Sequence, residues 1–277
     1  MGDSVLGDLI KEEAYKDAFK ISYTKWEPPK EIKKINRISI CTTCMGRCSD
    51  IKQTYIKNIE DNKDYPKIEF VLLNYNSQDD LDQYVKANLM VYIEKRILNY
   101  YKTIEPKYYS MTKSRNINIR VARGDIVNNV DADHFIHKGF AEQINKIANV
   151  FPERVVFCKS KYKNRGRVGL YRKEAIKLLG GYDEIIEGYG FDDHNLVSRA
   201  VKLGFKAVKF GGDFCDITED HRRHPTDNYE NKDWKYTQRK NTLISLLNIK
   251  LERYQANRKQ HWGKAHLLKN FKEEIDI

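Results

Sequence analysis

Nowhere in the 277 residues is there a run of the roughly 18 apolar residues that a membrane-spanning helix requires. The opening segment, MGDSVLGDLIKEEAYKD, lacks the basic-then-apolar order of a secretion signal, so a soluble, intracellular chain is expected. Cysteine is sparse and unpatterned. Its five positions, Cys41, Cys44, Cys48, Cys158 and Cys215, form an odd set unlike the disulfide framework of a secreted scaffold. The cluster Cys41-x2-Cys44-x3-Cys48 has no second pair at zinc-ligand spacing. Cys41 closes the apolar run Ile38-Ser39-Ile40-Cys41, where a small thiol packs as a hydrophobe, so zinc is not expected. There is no internal repeat and no low-complexity tract. Disorder is excluded for most of the chain, because 40% of residues are hydrophobic and Val, Ile, Leu, Tyr and Phe recur in dense runs.

What the chain has in excess is positive charge: 50 Lys and Arg against 39 Asp and Glu, a net of +11. The excess is uneven. Residues 231–277 hold 11 basic and 5 acidic residues, while residues 1–36 hold 7 of each. A basic tail suits a solvated helical face, an anionic lipid surface or a phosphate-bearing substrate. No helix-turn-helix, zinc-finger or RNA-binding signature accompanies it, so nucleic acid is not an expected partner.

Hydrophobic spacing divides the chain into a peripheral segment 1–36, an organised region 37–229 and a basic, helical extension 230–277. Within the organised region, Arg37–Thr43, Ile68–Leu73, Asp125–Val130 and Val155–Cys158 read as buried strands. Helical patterns lie over Asp50–Glu60, Asp79–Lys86, Lys113–Ala122, residues 137–150 and Lys173–Leu179, with 90–110 ambiguous. A further helix is expected over 241–256. Strands alternating with helices predict an α/β fold with a mostly parallel sheet covered on both faces. Ligands in such sheets bind beyond the carboxyl ends of the strands. Thr42-Thr43-Cys44 and Asp131-Ala132-Asp133 both fall there, and should meet in one crevice.

Three segments carry chemistry. Asp131-Ala132-Asp133 sets two carboxylates one residue apart just beyond a buried strand; as hard oxygen donors they suit Mg²⁺ or Mn²⁺, or they are simply solvated turn residues. Gly180-Gly181-Tyr182-Asp183-Glu184 leads into Glu187-Gly188-Tyr189-Gly190-Phe191-Asp192-Asp193, where two glycines free the backbone to present Tyr189. Asp192 and Asp193 open a helix, a place favoured by the macrodipole and equally suited to a general base at a crevice edge. His221-Arg222-Arg223-His224-Pro225 offers a histidine for a metal and cations for a diphosphate, or plain polar surface. The run Lys159, Lys161, Lys163, Arg165 and Arg167 is read as a basic loop over an anionic substrate, or a solvated one.

In this order, the segments resemble the GT-A glycosyltransferases of the broad family 2 group, with a catalytic half similar to β-1,4-galactosyltransferases. The likeness is carried by Ile38–Arg47, Ser110–Ile117 with Ala122–Asp133, Gly169–Arg172 and Gly180–Arg199, and extends over about residues 37–225. It implies a Rossmann-like nucleotide-binding sheet with helices on both faces, flanked by helical N- and C-terminal extensions. It also implies a metal-dependent, inverting transfer from a nucleotide sugar, UDP-linked by preference, to a hydroxyl of an oligosaccharide or lipid-linked glycan. By the same resemblance, Asp131, Asp133 and His221 (rather than His224) hold Mn²⁺ or Mg²⁺, and Asp193 is the catalytic base. Thr42, Thr43, Arg47, Asn74, Ser77, Lys113, Asn116, Asp131 and Ala132 fall on the nucleotide sugar, and Tyr189, Gly190 and Asp192 on the acceptor. Asp192 stands where the family usually has Glu, and Asn74 where many relatives have Asp. Capsule or lipooligosaccharide synthesis would place such an enzyme in the cytoplasm, touching the inner face of an anionic membrane through its basic tail. The rival reading is a nucleotidyltransferase or nucleotide-sugar pyrophosphorylase, for which Cys44-Met45-Gly46-Arg47 is a poor phosphate loop; a non-enzymatic polyanion-binding protein comes third.

Overall fold

The computed structural model describes residues 19–159, 168–210, 215–218, 226–258 and 261–277. At its centre lies a ten-stranded sheet in the order β1-β9-β7-β8-β5-β2-β3-β4-β11-β12. The strands are β1 (Tyr23–Thr24), β2 (Ile38–Cys44), β3 (Ile68–Tyr75), β4 (Leu98–Thr103), β5 (Ile126–Asn129), β7 (Val155–Lys159), β8 (Val168–Tyr171), β9 (Lys206–Phe210), β11 (His266–Lys269) and β12 (Glu273–Asp276). A separate ribbon pairs β6 (His134–Ile136) with β10 (Cys215–Ile217). The central strands β5, β2, β3 and β4 are parallel neighbours, whereas β8 and β11 run against the strands beside them.

Burial on both faces explains the near-continuous apolar strands, since successive side chains point to opposite sides. Along β3, Phe70 and Leu72 enter one core with Ile38, Ile40 and Tyr100. Val71 and Leu73 enter the other with Cys41, Val127 and Leu170. Helices Cys48–Asn62 and Phe140–Val150 cover the first face through Ile51, Tyr55, Phe140 and Ile144. Helices Met111–Val121 and Asp192–Lys202 cover the second through Ile117, Ile119, Leu196 and Ala200. Cys41, Cys44 and Cys48 are free and buried, in keeping with a packing role.

The structure departs from the sequence expectations mainly outside this centre. The ambiguous stretch 90–110 resolves into a short helix, Met90–Glu94, and the strand β4. The helix placed over 241–256 runs instead over Trp234–Lys250. Asp233 caps its start by accepting from the backbone N–H groups of Lys235 and Tyr236 at 3.1 and 3.0 Å, and Glu252 leaves helical space at φ 54°. None of the described residues beyond it is helical. They form the hairpin β11–β12 on the free edge of β4, with Leu267 and the preceding Trp262 in the core. The turn uses left-handed Asn270 and Phe271, a pairing without the Asn-Gly signal that marks most such turns. At the other edge, Tyr23–Thr24 lies parallel to β9, so part of segment 1–36 belongs to the sheet. Among the described residues no helix is long and apolar enough to cross a membrane.

Candidate active site

Strands β2 and β5 are parallel neighbours, so the turns after them open at the same end of the sheet. The turn after β5 is fixed from both sides. Val130 donates its N–H to the Cys41 carbonyl at 2.8 Å, and the Ala132 carbonyl accepts from the Thr54 hydroxyl at 2.7 Å. Asn58, one helical turn beyond Thr54, donates to the His134 carbonyl and accepts from the Ile136 N–H, both at 2.8 Å. The helix Cys48–Asn62 thus holds Asp131-Ala132-Asp133 through three backbone groups while both carboxylates stay half-exposed.

Asp133 is gripped by two neighbours: His134 Nδ1 lies 2.5 Å from its Oδ1, and Arg47 donates to its Oδ2 at 3.1 Å. Burial alone would raise the carboxyl's pKa. The hydrogen bond and charge of His134, with Arg47, outweigh that and hold it at about 2. Asp131, Asp133 and His134 bring one ligand atom each to within 4.8 Å of one another. Two hard carboxylate oxygens and an imidazole nitrogen fit a Mn²⁺ or Mg²⁺ ion. His134 Nε2 is buried and has no hydrogen-bond partner among the described residues. His221, which the resemblance assigns to the metal, lies outside the described residues, as do His224 and the basic run from Lys161 to Arg167.

The second half of the site is organised by Arg115, a fully buried guanidinium on the Met111–Val121 helix. Its Nη1 binds Asp192 and, at 2.8 Å, Asp193; its Nη2 binds Asp131 at 2.8 Å. Burial of a lone guanidinium would depress its pKa, but three surrounding aspartates raise it well above its usual value. One cation therefore ties the turn after β5 to the start of the Asp192–Lys202 helix. Tyr182 adds a hydrogen bond to Asp193 at 3.0 Å and itself accepts from Asn129 at 3.2 Å. Burial and the Asp193 charge push the Tyr182 phenol upward, which keeps it a donor. Asp193 is pushed up to about 7, first by burial and then by Asp192 and Asp131, against the opposing pull of Arg115. Asp192 is raised as well, again by burial first.

The loop before these aspartates carries the backbone strain. Gly188 and Gly190 adopt φ of 70° and 94°, and Phe191, an aromatic residue, sits at 71°. A Cβ on Gly188 would lie 2.6 Å from Thr237 Cγ2. Asn241 donates to the carbonyls of Glu187 and Gly190, each at 2.9 Å, and Thr237 to that of Tyr189 at 3.1 Å. Tyr189 meets Tyr229 edge-to-face at 6.1 Å; Tyr229 in turn meets Tyr109 at 5.3 Å. Tyr109 shares a 2.6 Å hydrogen bond with Thr43, which links the loop to the end of β2.

Of the residues expected on the nucleotide sugar, Thr43, Arg47, Asp131 and Ala132 gather around this crevice, with Thr42 buried in the strand beside them. Asn74 and Ser77 shape the turns. Asn74 accepts from the Ser77 N–H at 2.7 Å and donates to Asp82 and Tyr100, and the Ser77 hydroxyl accepts from the Gly46 N–H at 2.6 Å. Asn116 is fully buried, its amide spent on the backbone of Tyr182 and on Glu184, so it holds the Gly180–Glu184 turn. Lys113 is exposed and lines a separate cleft with Tyr75, Glu105, Glu184 and His261. Sequence reasoning gave no role to Arg115, Tyr182 or His134. His134 directly follows the carboxylate pair, which was a usable signal; nothing in the spacing marks Arg115 as the common partner of aspartates 16 and 78 residues away.

Residues 44–155 match the family model described as glycosyltransferase like family 2. No curated protein matches the sequence. Among solved structures, the chain is similar to the mannosyltransferase PcManGT from Pyrobaculum calidifontis, in complex with GDP-Man and Mn²⁺. That likeness has 17% identity and a TM-score of 0.64, and covers 90% of this chain and 74% of that one. It is also similar to S. aureus TarS 1-349 in complex with UDP-GlcNAc, at 15% identity and TM-score 0.58, covering 76% and 67%. Similarity to GalNAc-T7 with UDP, GalNAc and Mn²⁺ is 12% in identity and 0.51 in TM-score, over 74% of this chain and 49% of that one. The fold is that of the GT-A glycosyltransferases.

Proposed function

We propose that this chain, which carries a glycosyltransferase family 2-like domain in a GT-A fold, moves a hexose or N-acetylhexosamine from a UDP-sugar to a hydroxyl of a glycan, with inversion at the anomeric carbon. The observation that carries the reading is the shared guanidinium. Arg115 joins Asp193, poised to titrate at about 7, to Asp131 of the carboxylate pair beside the crevice.

In this reading Asp193 takes the proton from the acceptor hydroxyl as that oxygen attacks the anomeric carbon. A base titrating near neutrality combines a useful ionised fraction with real basicity. Arg115 and Tyr182 fix the orientation of its carboxylate, and much of the rate then comes from holding acceptor and donor in line. Tyr189 offers a ring for the acceptor sugar, and Asp192 and Gly190 border it. Thr42, Thr43 and Arg47 are assigned to the nucleotide diphosphate, with Arg47 free to exchange its Asp133 contact for phosphate oxygens. Asp131 and Asp133 are assigned to a divalent ion, with His221 as a further ligand; such an ion, when bound, neutralises the departing diphosphate. The glycan acceptor is assigned to a bacterial capsule or lipooligosaccharide, made at the cytoplasmic side of a membrane.

The test is Asp193→Asn. Transfer should fall by about 10²–10⁴-fold, the usual contribution of a general base, while the affinity for UDP in the presence of Mn²⁺ stays near that of the unaltered protein. Transfer retained within a factor of about ten would sink the assignment. Calorimetric titration with UDP and then GDP, each with Mn²⁺, decides the nucleotide.

A further inference from the structure

Helix Trp234–Lys250 buries one face and leaves the opposite one unlike an ordinary solvated surface. Its inner face is Thr237, Asn241, Ser245, Leu246 and Ile249; the last two pack with Phe19, against Phe191 and Tyr254. A helix packed on one side should be polar on the other. Here the outer side carries Tyr236, Leu247 and, just past the helix end, Leu251, exposed by 56%, 54% and 48%. Half-buried Leu243 continues the line between them. Positions 236, 240, 243, 247 and 251 follow steps of three and four, so they form a single stripe. Flanking or within it are Arg239, Lys240 and Lys250, and with Lys235 the helix has four basic residues and no acidic one.

We propose that this stripe is a membrane-contact surface that lies on anionic lipid headgroups, with Tyr236, Leu247 and Leu251 entering the interface. An apolar line edged by cations on a surface helix is the pattern of an interfacial helix, in which long basic side chains reach the phosphates while their stems lie along the apolar residues. A second copy of this chain fits less well. A two-fold pairing of the stripe would set its cations against one another. The Glu187–Gly190 loop hangs from Thr237 and Asn241 on the inner side. The same loop also reaches the stripe, where Lys240 meets Glu187 at 3.3 Å, so it sits within one helix diameter, about 10 Å, of the lipid surface. That depth suits an acceptor whose anchor stays in the bilayer, a clause that rests on the proposed function; the membrane contact itself does not. The sequence expectation of a basic tail on the membrane moves accordingly to the helix, because His266–Asp276 is a hairpin joined to β4.

The test is co-sedimentation of the full chain with vesicles of phosphatidylcholine, alone or mixed with phosphatidylglycerol, at low and high salt. Two variants accompany it: Leu247→Gln with Leu251→Gln, and Lys235→Gln with Arg239→Gln and Lys250→Gln. Lys240 is kept because it meets Glu187 at 3.3 Å. Far-UV circular dichroism and thermal melts establish that both variants fold. The unaltered protein should bind the anionic vesicles and release in high salt. The charge variant should bind about a hundredfold more weakly, near fivefold per cation lost, and the leucine variant about tenfold more weakly. Transfer to a soluble acceptor should be unchanged in both. Equal sedimentation with neutral and anionic vesicles, or wild-type binding by both variants, would overturn the proposal. So would a concentration-dependent dimer that the leucine variant abolishes.

Discussion

Arg115→Met removes the one cation that three site aspartates share, at nearly constant volume. The side chain is 2% exposed, and those of Asp192 and Asp193 are 8% and 11% exposed, so little solvent is present to compensate. Breaking a buried ion pair from one side typically costs about 3–5 kcal/mol, because the remaining charge is stranded. We expect a loss of that size near pH 8, and a distinctly smaller one near pH 5. The sign follows from the carboxyls. Folded Asp193 titrates at about 7, above the value of about 3.9 in an unfolded chain. Its contribution is therefore most favourable below the unfolded pKa and is lost as pH rises towards 7. Arg115 opposes that shift. Without it, Asp193 and Asp192 climb further, each added unit costing about 1.4 kcal/mol above the new pKa, and the part of the loss that comes from Asp193 grows as pH rises above about 7. Below that pH protonation of both groups relieves the stranded charge. Urea denaturation followed by far-UV circular dichroism at the two pH values gives both numbers by linear extrapolation. A loss independent of pH, or one under about 1 kcal/mol near pH 8, would refute the reasoning.

Three further outcomes follow from the same geometry. Asp192→Asn removes a charge that raises Asp193, so the acid limb of kcat/KM should move to lower pH; a limb that stays or rises contradicts the coupling. EDTA should weaken nucleotide binding and Mn²⁺ restore it, whereas Asp133→Ala should be unresponsive to either; full metal-dependent binding by that variant would remove Asp133 from the site. Gly188→Ala places a methyl against Thr237 at a positive φ, which should cost about 1–3 kcal/mol and raise KM for the acceptor more than for the donor. An equal rise in both would show that the loop does not face the acceptor alone.

The carboxylates and their places were legible in the chain. Asp131-Ala132-Asp133 stood out because a buried strand must end in something, and two acids at that end are either solvated or used. The centres of β2, β3, β5 and β7 and the start of the Asp192–Lys202 helix are legible in the sequence, since alternation and capping are local properties. The hairpin on β4 was not, because β11 and β12 are short, lie on a sheet edge and turn without the usual dipeptide. Local pattern also favoured a helix through 256, and only the cap at Asp233 and the turn at Glu252 set its true limits. Arg115 and Tyr182 depended wholly on tertiary structure. An arginine among serines and asparagines on a helix has no pattern of its own, and it becomes the hub of the site because the sheet brings two distant turns to one end. Asn116 shows the converse: a polar residue within a motif looks available to a ligand until folding spends its amide on the backbone of Tyr182. Sequence thus determined which chemical groups this protein has and the strand ends at which they lie. The tertiary fold decided which of them share a charge, because burial and proximity between segments far apart in the chain set pKa and partner, and no local spacing encodes either.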